Sequence, residues 1–477
     1  MKRMSGADAF LLGMETPRCY MHTLKIAILD PTNDPGGWSF ENYKQQVKSR
    51  LHLIPAFRWK YIPSPLGLSH PLWVEDADFN LNYHLRRVEC PAPGDQRALC
   101  AFMGDVYAYQ LDRSRPLWMT WVVEGLENNK VALVTMVHHA YFDGVGASYA
   151  MQQYFAHEPG YQPPPPAQPW QGEKVPSWFK SLLLGIRDLP GIIAHNLPQV
   201  ISGLKKMRAL ERRYEEQGLP KPPAASMMPK TPINRNLSHG RSFVCDSIPL
   251  DTMQQTRRAL GVTLNDLFLS CCAGAIRKLL RDLNYDPANG PLIAGIPISG
   301  NRPEGMQGEG NFATVDFTWL HVEIDDPLDR LRASQRSAAQ MKEHIEAARG
   351  ADINTLVQLS PPWLTSLIRW RINSQQGKFG IFGNVLLSNV PGPREPLYLD
   401  KSVVENWFST GQVFDGTALN MTLWSYCQNA NLCVLADSEI LPDGWVMYQY
   451  FCHELDCLAQ LAAQPNQGQA PIDMLPV

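Results

Sequence analysis

Prolines gather in two stretches of the chain, HEPGYQPPPPAQPWQGEKVPSW at 157–178 and GLPKPPAASMMPKTPINRN at 218–236. Proline fixes φ and lacks a backbone N–H, so neither stretch can lie inside a helix or a central strand. A chain of 477 residues interrupted in this way is expected to form two globular halves, residues 1–156 and 237–477, joined by a linker at 157–236. The segment between the breaks has helical spacing but carries Pro190 and Pro198, which predicts broken helices. Within the halves, a helical pattern such as RASQRSAAQMKEHIEAARGA alternates with strand patterns such as KVALVTMV and NLCVLAD. That alternation predicts a mixed α/β class.

Several classes of function drop out on composition. A formal net charge of −3 supplies no basic field for nucleic acid. No apolar run approaches the ~18 residues of a membrane-spanning helix. The opening MKRMSGADAFLLGMETP lacks a signal-peptide core, so a cytoplasmic protein is expected. The ten cysteines form no CxxC pair and sit in apolar surroundings such as FLSCCAG, as reduced, buried thiols do. The linker carries an apolar stripe of Trp178, Phe179, Leu182, Leu183, Ile186 and Leu189, then a basic cluster of Lys205, Lys206, Arg208, Arg212 and Arg213. Such a helix suits either a membrane surface or a packed position between two domains, and both readings stand.

Chemistry concentrates in VTMVHHAYFDGVG, residues 134–146. Upstream, two apolar runs flank the turn signal GLENN, a hairpin whose second strand, about Val131 to Val137, ends at His138 and His139. Successive strand side chains point to opposite faces, so the pair cannot readily chelate one metal ion, and none is expected. A serine hydrolase would need a Gly-x-Ser-x-Gly elbow, which the chain lacks. A histidine acting as general base on a substrate hydroxyl remains. The turn carrying Asp143 and ending at Gly144, where glycine can take a positive φ, would supply rigidity.

His138-His139-Ala140-Tyr141-Phe142-Asp143-Gly144 matches the HHxxxDG signature of acyltransferases with the chloramphenicol-acetyltransferase-like fold. The chain more narrowly resembles the bacterial wax ester synthase/diacylglycerol acyltransferase family over nearly its full length. Arg115-Pro116-Leu117-Trp118, Asn265-Asp266, Ser388-Asn389-Val390-Pro391-Gly392-Pro393 and the opening MSGADAFLLGMETP match that family's blocks in order. Pro297-Ile298-Ser299 and Gly310-Asn311 are softer matches, and Tyr141 and Phe142 are bulky enough to narrow a pocket beside the base. The resemblance implies two α/β sandwich domains sharing a central tunnel. It implies acyl-CoA as co-substrate with no metal or other cofactor, and diacylglycerol or a fatty alcohol as acceptor. A peripheral membrane or lipid-inclusion surface is implied as a partner, and nucleic acid is not. By the same resemblance His139 is the base, His138 faces away and supports the fold, and Asp143 holds the loop through a buried arginine. Asn265 is implied near the reacting carbonyl, though an N-cap role for a helix starting at Asp266 or Leu267 fits it equally. Ser388 and Asn389 are expected along the tunnel.

Three rivals are carried forward. His138 to Asp143 also reads as H-x-x-x-x-D, the signature of glycerol-phosphate-type acyltransferases, with Pro303-Glu304-Gly305 as a second block. That reading makes His138 the base, but about 160 residues separate the blocks. A lipid- or partner-binding scaffold without turnover is the second, and a condensation-domain-like acyltransferase with another acceptor is the third.

Overall fold

A computed structural model describes residues 1–219, 221–300, 310–349, 352–374 and 380–464. Two six-stranded sheets organise it. The first runs, edge to edge, through Leu397–Leu399, Ser402–Thr410, His22–Asp30, Val131–His138, Trp118–Glu124 and Leu85–Glu89. The second runs through Thr314–Leu320, Leu292–Ile298, Val385–Val390, Leu419–Tyr426, Asn429–Asp437 and Arg241–Pro249. Helices cover both, as expected of the α/β class. The hairpin read from the sequence is present, with Trp118 opposite Val137. Every residue of Val131–His138 is buried, because the strand is flanked on both sides and apolar on both faces.

The sequential division into halves does not hold at the first sheet. Ser402–Thr410, from the C-terminal half, pairs antiparallel with His22–Asp30, from Val403 opposite Asp30 to Thr410 opposite Leu24. Without that loan His22–Asp30 would present an open, apolar edge. The helix Gln96–Tyr107 in turn packs on Arg241–Pro249 across the halves. Only glycine permits the approach, since a Cβ on Gly104 would lie 2.8 Å from the Arg241 carbonyl oxygen.

The linker also differs from expectation. Trp178–Glu216 is one continuous helix, with Pro190 and Pro198 inside it. Each proline frees a carbonyl four residues back, at Ile186 and Ala194, and both of those residues are exposed. Water can take the orphaned bonds there, so the helix tolerates both prolines. Among the described residues no single helix is long and apolar enough to cross a membrane. Pro303-Glu304-Gly305 lies outside the described residues.

Candidate active site

The strand Val131–His138 delivers the two histidines into a turn bonded at each residue. His138 N–H donates to the Leu117 carbonyl at 2.9 Å, and His139 N–H to that of Met21 at 2.9 Å. The Pro-Leu-Trp block thus serves the turn: Leu117 N–H also donates to the Tyr141 hydroxyl at 2.8 Å. That bond draws Tyr141 into the core, so of the two bulky residues only Phe142 lines the cavity described below.

Asp143 caps the helix Gly144–Tyr154, accepting from Gly146 N–H at 2.8 Å. Its other oxygen accepts from Phe312 N–H at 2.8 Å and Ala313 N–H at 3.0 Å. These bonds staple the motif to the other half of the chain. Gly144 is the first helical residue and is not among the positive-φ glycines. The cap, rather than a left-handed glycine, makes the turn rigid.

The two histidines have opposite surroundings. His138 is fully buried, its Nδ1 accepts from Ala140 N–H at 3.0 Å, and its Nε2 lies 3.5 Å from Glu15. Burial would raise the Glu15 carboxyl, but His138 and Arg113, whose Nε donates to it at 2.8 Å, bring it down to about 2. His139 instead lines a cavity, and its Nδ1 lies 3.0 Å from Asn311 Oδ1. Asn311 Nδ2 donates to Asp8 Oδ1 and to the His139 carbonyl, both at 2.8 Å. The amide nitrogen is thereby assigned, so its oxygen must accept and His139 Nδ1 must carry the proton. Nε2 is left as the lone-pair nitrogen. Burial, with Lys25 adding to it, lowers His139 to about 4, which keeps the imidazole neutral at physiological pH.

Asp8 anchors this relay from a capping box. The Ser5 hydroxyl accepts from Asp8 N–H at 3.1 Å, while the Asp8 carboxylate takes both Ser5 N–H and Asn311 N–H. Burial pushes Asp8 up to about 6, against the bonds from Asn311 and Ser5.

His139 opens into a cavity of about 160 Å³ whose lining joins strands of both sheets to the N-terminal helix Gly6–Met14. A larger cavity of about 1140 Å³ adjoins it, sharing Ala7, Ser299, Asn311 and Phe382, and the combined lining of the two is the wall of the passage. Along Val385–Val390 the lining residues are Leu386, Ser388 and Val390. Asn389 falls on the other face, as the two-residue period of a strand requires. Asn265 and Asp266 lie outside both linings. Their helix starts at Leu264, capped by Thr263, and Asp266 closes a capping box on Thr263 N–H at 3.0 Å. Asn265 is therefore neither the cap nor a wall of the passage.

Sequence reasoning missed the work of Asn311, Asp8 and Lys25. The Gly-Asn pair at 310–311 and the lysine inside the apolar run HTLKIAILD were the visible signals.

Solved structures share this architecture. A wax ester synthase/diacylglycerol acyltransferase from Marinobacter aquaeolei VT8 superposes with a TM-score of 0.67 at 23% identity, covering 97% of this chain and 100% of that one. The starter condensation domain of rhizomide synthetase, in complex with C8-CoA and Leu-SNAC, gives 0.59 at 12% identity, covering 100% and 97%. The fold is thus the chloramphenicol-acetyltransferase-like one. Residues 4–268 match the model of the wax ester synthase/diacylglycerol acyltransferase catalytic domain, and residues 309–459 that of the family's C-terminal domain. A Mycobacterium tuberculosis protein provisionally named a diacylglycerol O-acyltransferase is 42% identical over 98% of this chain and 99% of its own. Another from that organism, with the same provisional name, is 33% identical over 93% and 92%. The chain belongs to the wax ester synthase/diacylglycerol acyltransferase family, and is an acyltransferase.

Proposed function

We propose that this acyltransferase moves a fatty acyl group from acyl-CoA to the hydroxyl of a diacylglycerol or a long-chain alcohol. His139 Nε2 takes the hydroxyl proton as the oxygen attacks the thioester carbonyl. The tetrahedral intermediate then collapses, and the departing CoA thiolate takes the proton back from the imidazolium. The observation that carries this reading is the His139 Nδ1–H bond to Asn311, which leaves Nε2 unprotonated on a ring lining the passage. The complex of the condensation-domain neighbour with C8-CoA supports a CoA thioester as donor. The H-x-x-x-x-D rival would need His138 as base, yet that ring is buried outside the passage lining and faces Glu15.

The test is CoA release from palmitoyl-CoA by purified protein, with 1,2-dioleoylglycerol or hexadecanol as acceptor and the lipid product identified. Ester formation with either acceptor sustains the reading. A wild-type protein that releases no CoA with both would leave a binding scaffold as the better account.

Both substrates are lipids, and the linker helix supports delivery from a lipid surface. Phe179, Leu183, Ile186, Ile193, Leu197, Ile201 and Leu204 recur at helical spacing, and all are exposed. Trp363, Leu367 and Trp370 project likewise from the helix Pro362–Ser374. Monomers rarely expose such continuous apolar surface without a partner, and the basic cluster from Lys205 to Arg213 suits anionic headgroups. Replacing Phe179, Leu183 and Ile186 together by serine is expected to weaken binding to phosphatidylglycerol-containing vesicles at least about tenfold. Cosedimentation at low and high salt measures it, and unchanged binding would remove this face from the membrane contact.

A further inference from the structure

His22–Asp30 is an apolar strand with one cation in it. Lys25 is 6% exposed, and with Thr23, on the same face of the strand, it lines the cavity that holds His139. Its ammonium donates to Ser409 Oγ at 2.5 Å, on the strand borrowed from the C-terminal half, and lies 5.5 Å above the Trp424 ring. Among the described residues Ser409 is its one hydrogen-bond partner, and no carboxylate lies at ion-pair distance. A lysine ammonium has three N–H donors, so two have no acceptor among the described residues. Burial lowers the group from its usual value to about 8, and it remains largely charged near neutrality. The wall beside it is polar as well: Asn420 Nδ2 donates to the Gln412 carbonyl at 3.1 Å, and Thr422 Oγ1 donates to Asn420 Oδ1 at 2.9 Å.

A buried cation short of acceptors is costly against a hydrocarbon chain and favourable against a ligand oxygen. An alkanol whose only oxygen is engaged at His139 would offer those two donors no acceptor. An acceptor with a second oxygen function a few bonds from its hydroxyl would satisfy both groups at once. We infer that Lys25 is a specificity-determining residue that binds the carbonyl or carboxylate oxygen of the acceptor, so that the enzyme prefers glycerol esters or hydroxy acids to simple alkanols. This rests on the His139-centred acyl transfer proposed above.

Full-length wild type, Lys25→Met and Lys25→Arg would be assayed for CoA release from palmitoyl-CoA with three acceptors: 1,2-dioleoylglycerol, 3-hydroxypalmitate and hexadecanol. Thermal midpoints would be checked for each variant. Lys25→Met is expected to lower kcat/KM for the carbonyl-bearing acceptors, relative to hexadecanol, by about tenfold to a hundredfold, the range for losing a charged hydrogen bond. Lys25→Arg should restore part of that ratio. A larger fall with the diglyceride identifies an ester carbonyl as the ligand, and a larger fall with the hydroxy acid a carboxylate. An equal fall with all three acceptors would overturn the inference and place Lys25 in the chemical step or the fold. An unchanged ratio would overturn it too. Wild type inactive with every acceptor would overturn both this inference and the transfer reaction, whereas active wild type with an unaltered preference would overturn this inference alone.

Discussion

His139→Ala is expected to lower kcat for CoA release by about 10²–10⁴-fold, the usual contribution of a positioned general base, while the thermal midpoint changes little. The ring lines a cavity, so its loss removes few core contacts. His138→Ala should behave in the opposite way. It leaves Ala140 N–H without its acceptor and vacates a fully buried position. A cost of about 1–3 kcal/mol in stability is expected, with a much smaller effect on turnover. The pH profile gives a second check. The active form of the base is neutral, and burial lowers His139 to about 4. The acid limb of kcat/KM should therefore fall near pH 4, and activity should persist at pH 5–6, where an ordinary imidazole would be largely protonated. Equal loss of turnover in the two alanine variants, or an acid limb near 6.5, would sink the assignment of the base.

Asn311→Ala is expected to strike both turnover and stability. The change removes the acceptor that holds the His139 tautomer and the side-chain donor to the buried Asp8 carboxylate. A fall of about tenfold to a hundredfold in kcat is expected, comparable to losing an outer hydrogen bond that orients a functional histidine. A loss of about 1–3 kcal/mol in stability should accompany it, because Asp8 stays buried with one donor fewer. Asn311→Asp separates the two effects. It preserves an acceptor for His139 but sets a second carboxylate against Asp8, already pushed up to about 6. Like charges raise the folded-state pKa further above the unfolded value, so the native state holds protons that the unfolded chain releases. Stability of that variant should therefore rise as pH is lowered from 8 toward 5. Urea titrations at several pH values measure this, and a pH-independent stability would show that Asp8 and Asn311 are not coupled.

Much of the molecule was legible in local patterns. The hairpin leading to His138 and His139 followed from apolar alternation and a turn signal, and the α/β class from alternating periods. HHxxxDG was readable because the bonds that shape its turn are local: His138 Nδ1 takes Ala140 N–H, and Asp143 takes Gly146 N–H. The opposite faces of adjacent strand residues explain why one histidine meets Glu15 and the other the passage. The placements of Asn265, Gly144 and Asn389 failed for equally local reasons. Thr263 caps the helix two residues ahead of Asn265, Asp143 removes the need for a left-handed glycine at 144, and strand alternation turns Asn389 away.

By itself, then, the sequence determined the strand, the motif, the fold class and the family, since each is written in neighbouring residues or in blocks kept in order. Only the tertiary structure decided what the motif works with. Asn311 meets His139 from 172 residues away, and Asp8 meets Asn311 across 303. Ser402–Thr410 crosses into the first sheet to set Ser409 beside Lys25. Such contacts follow from how burial closes two sheets on each other, and neither periodicity nor spacing records which distant side chains that closure brings together.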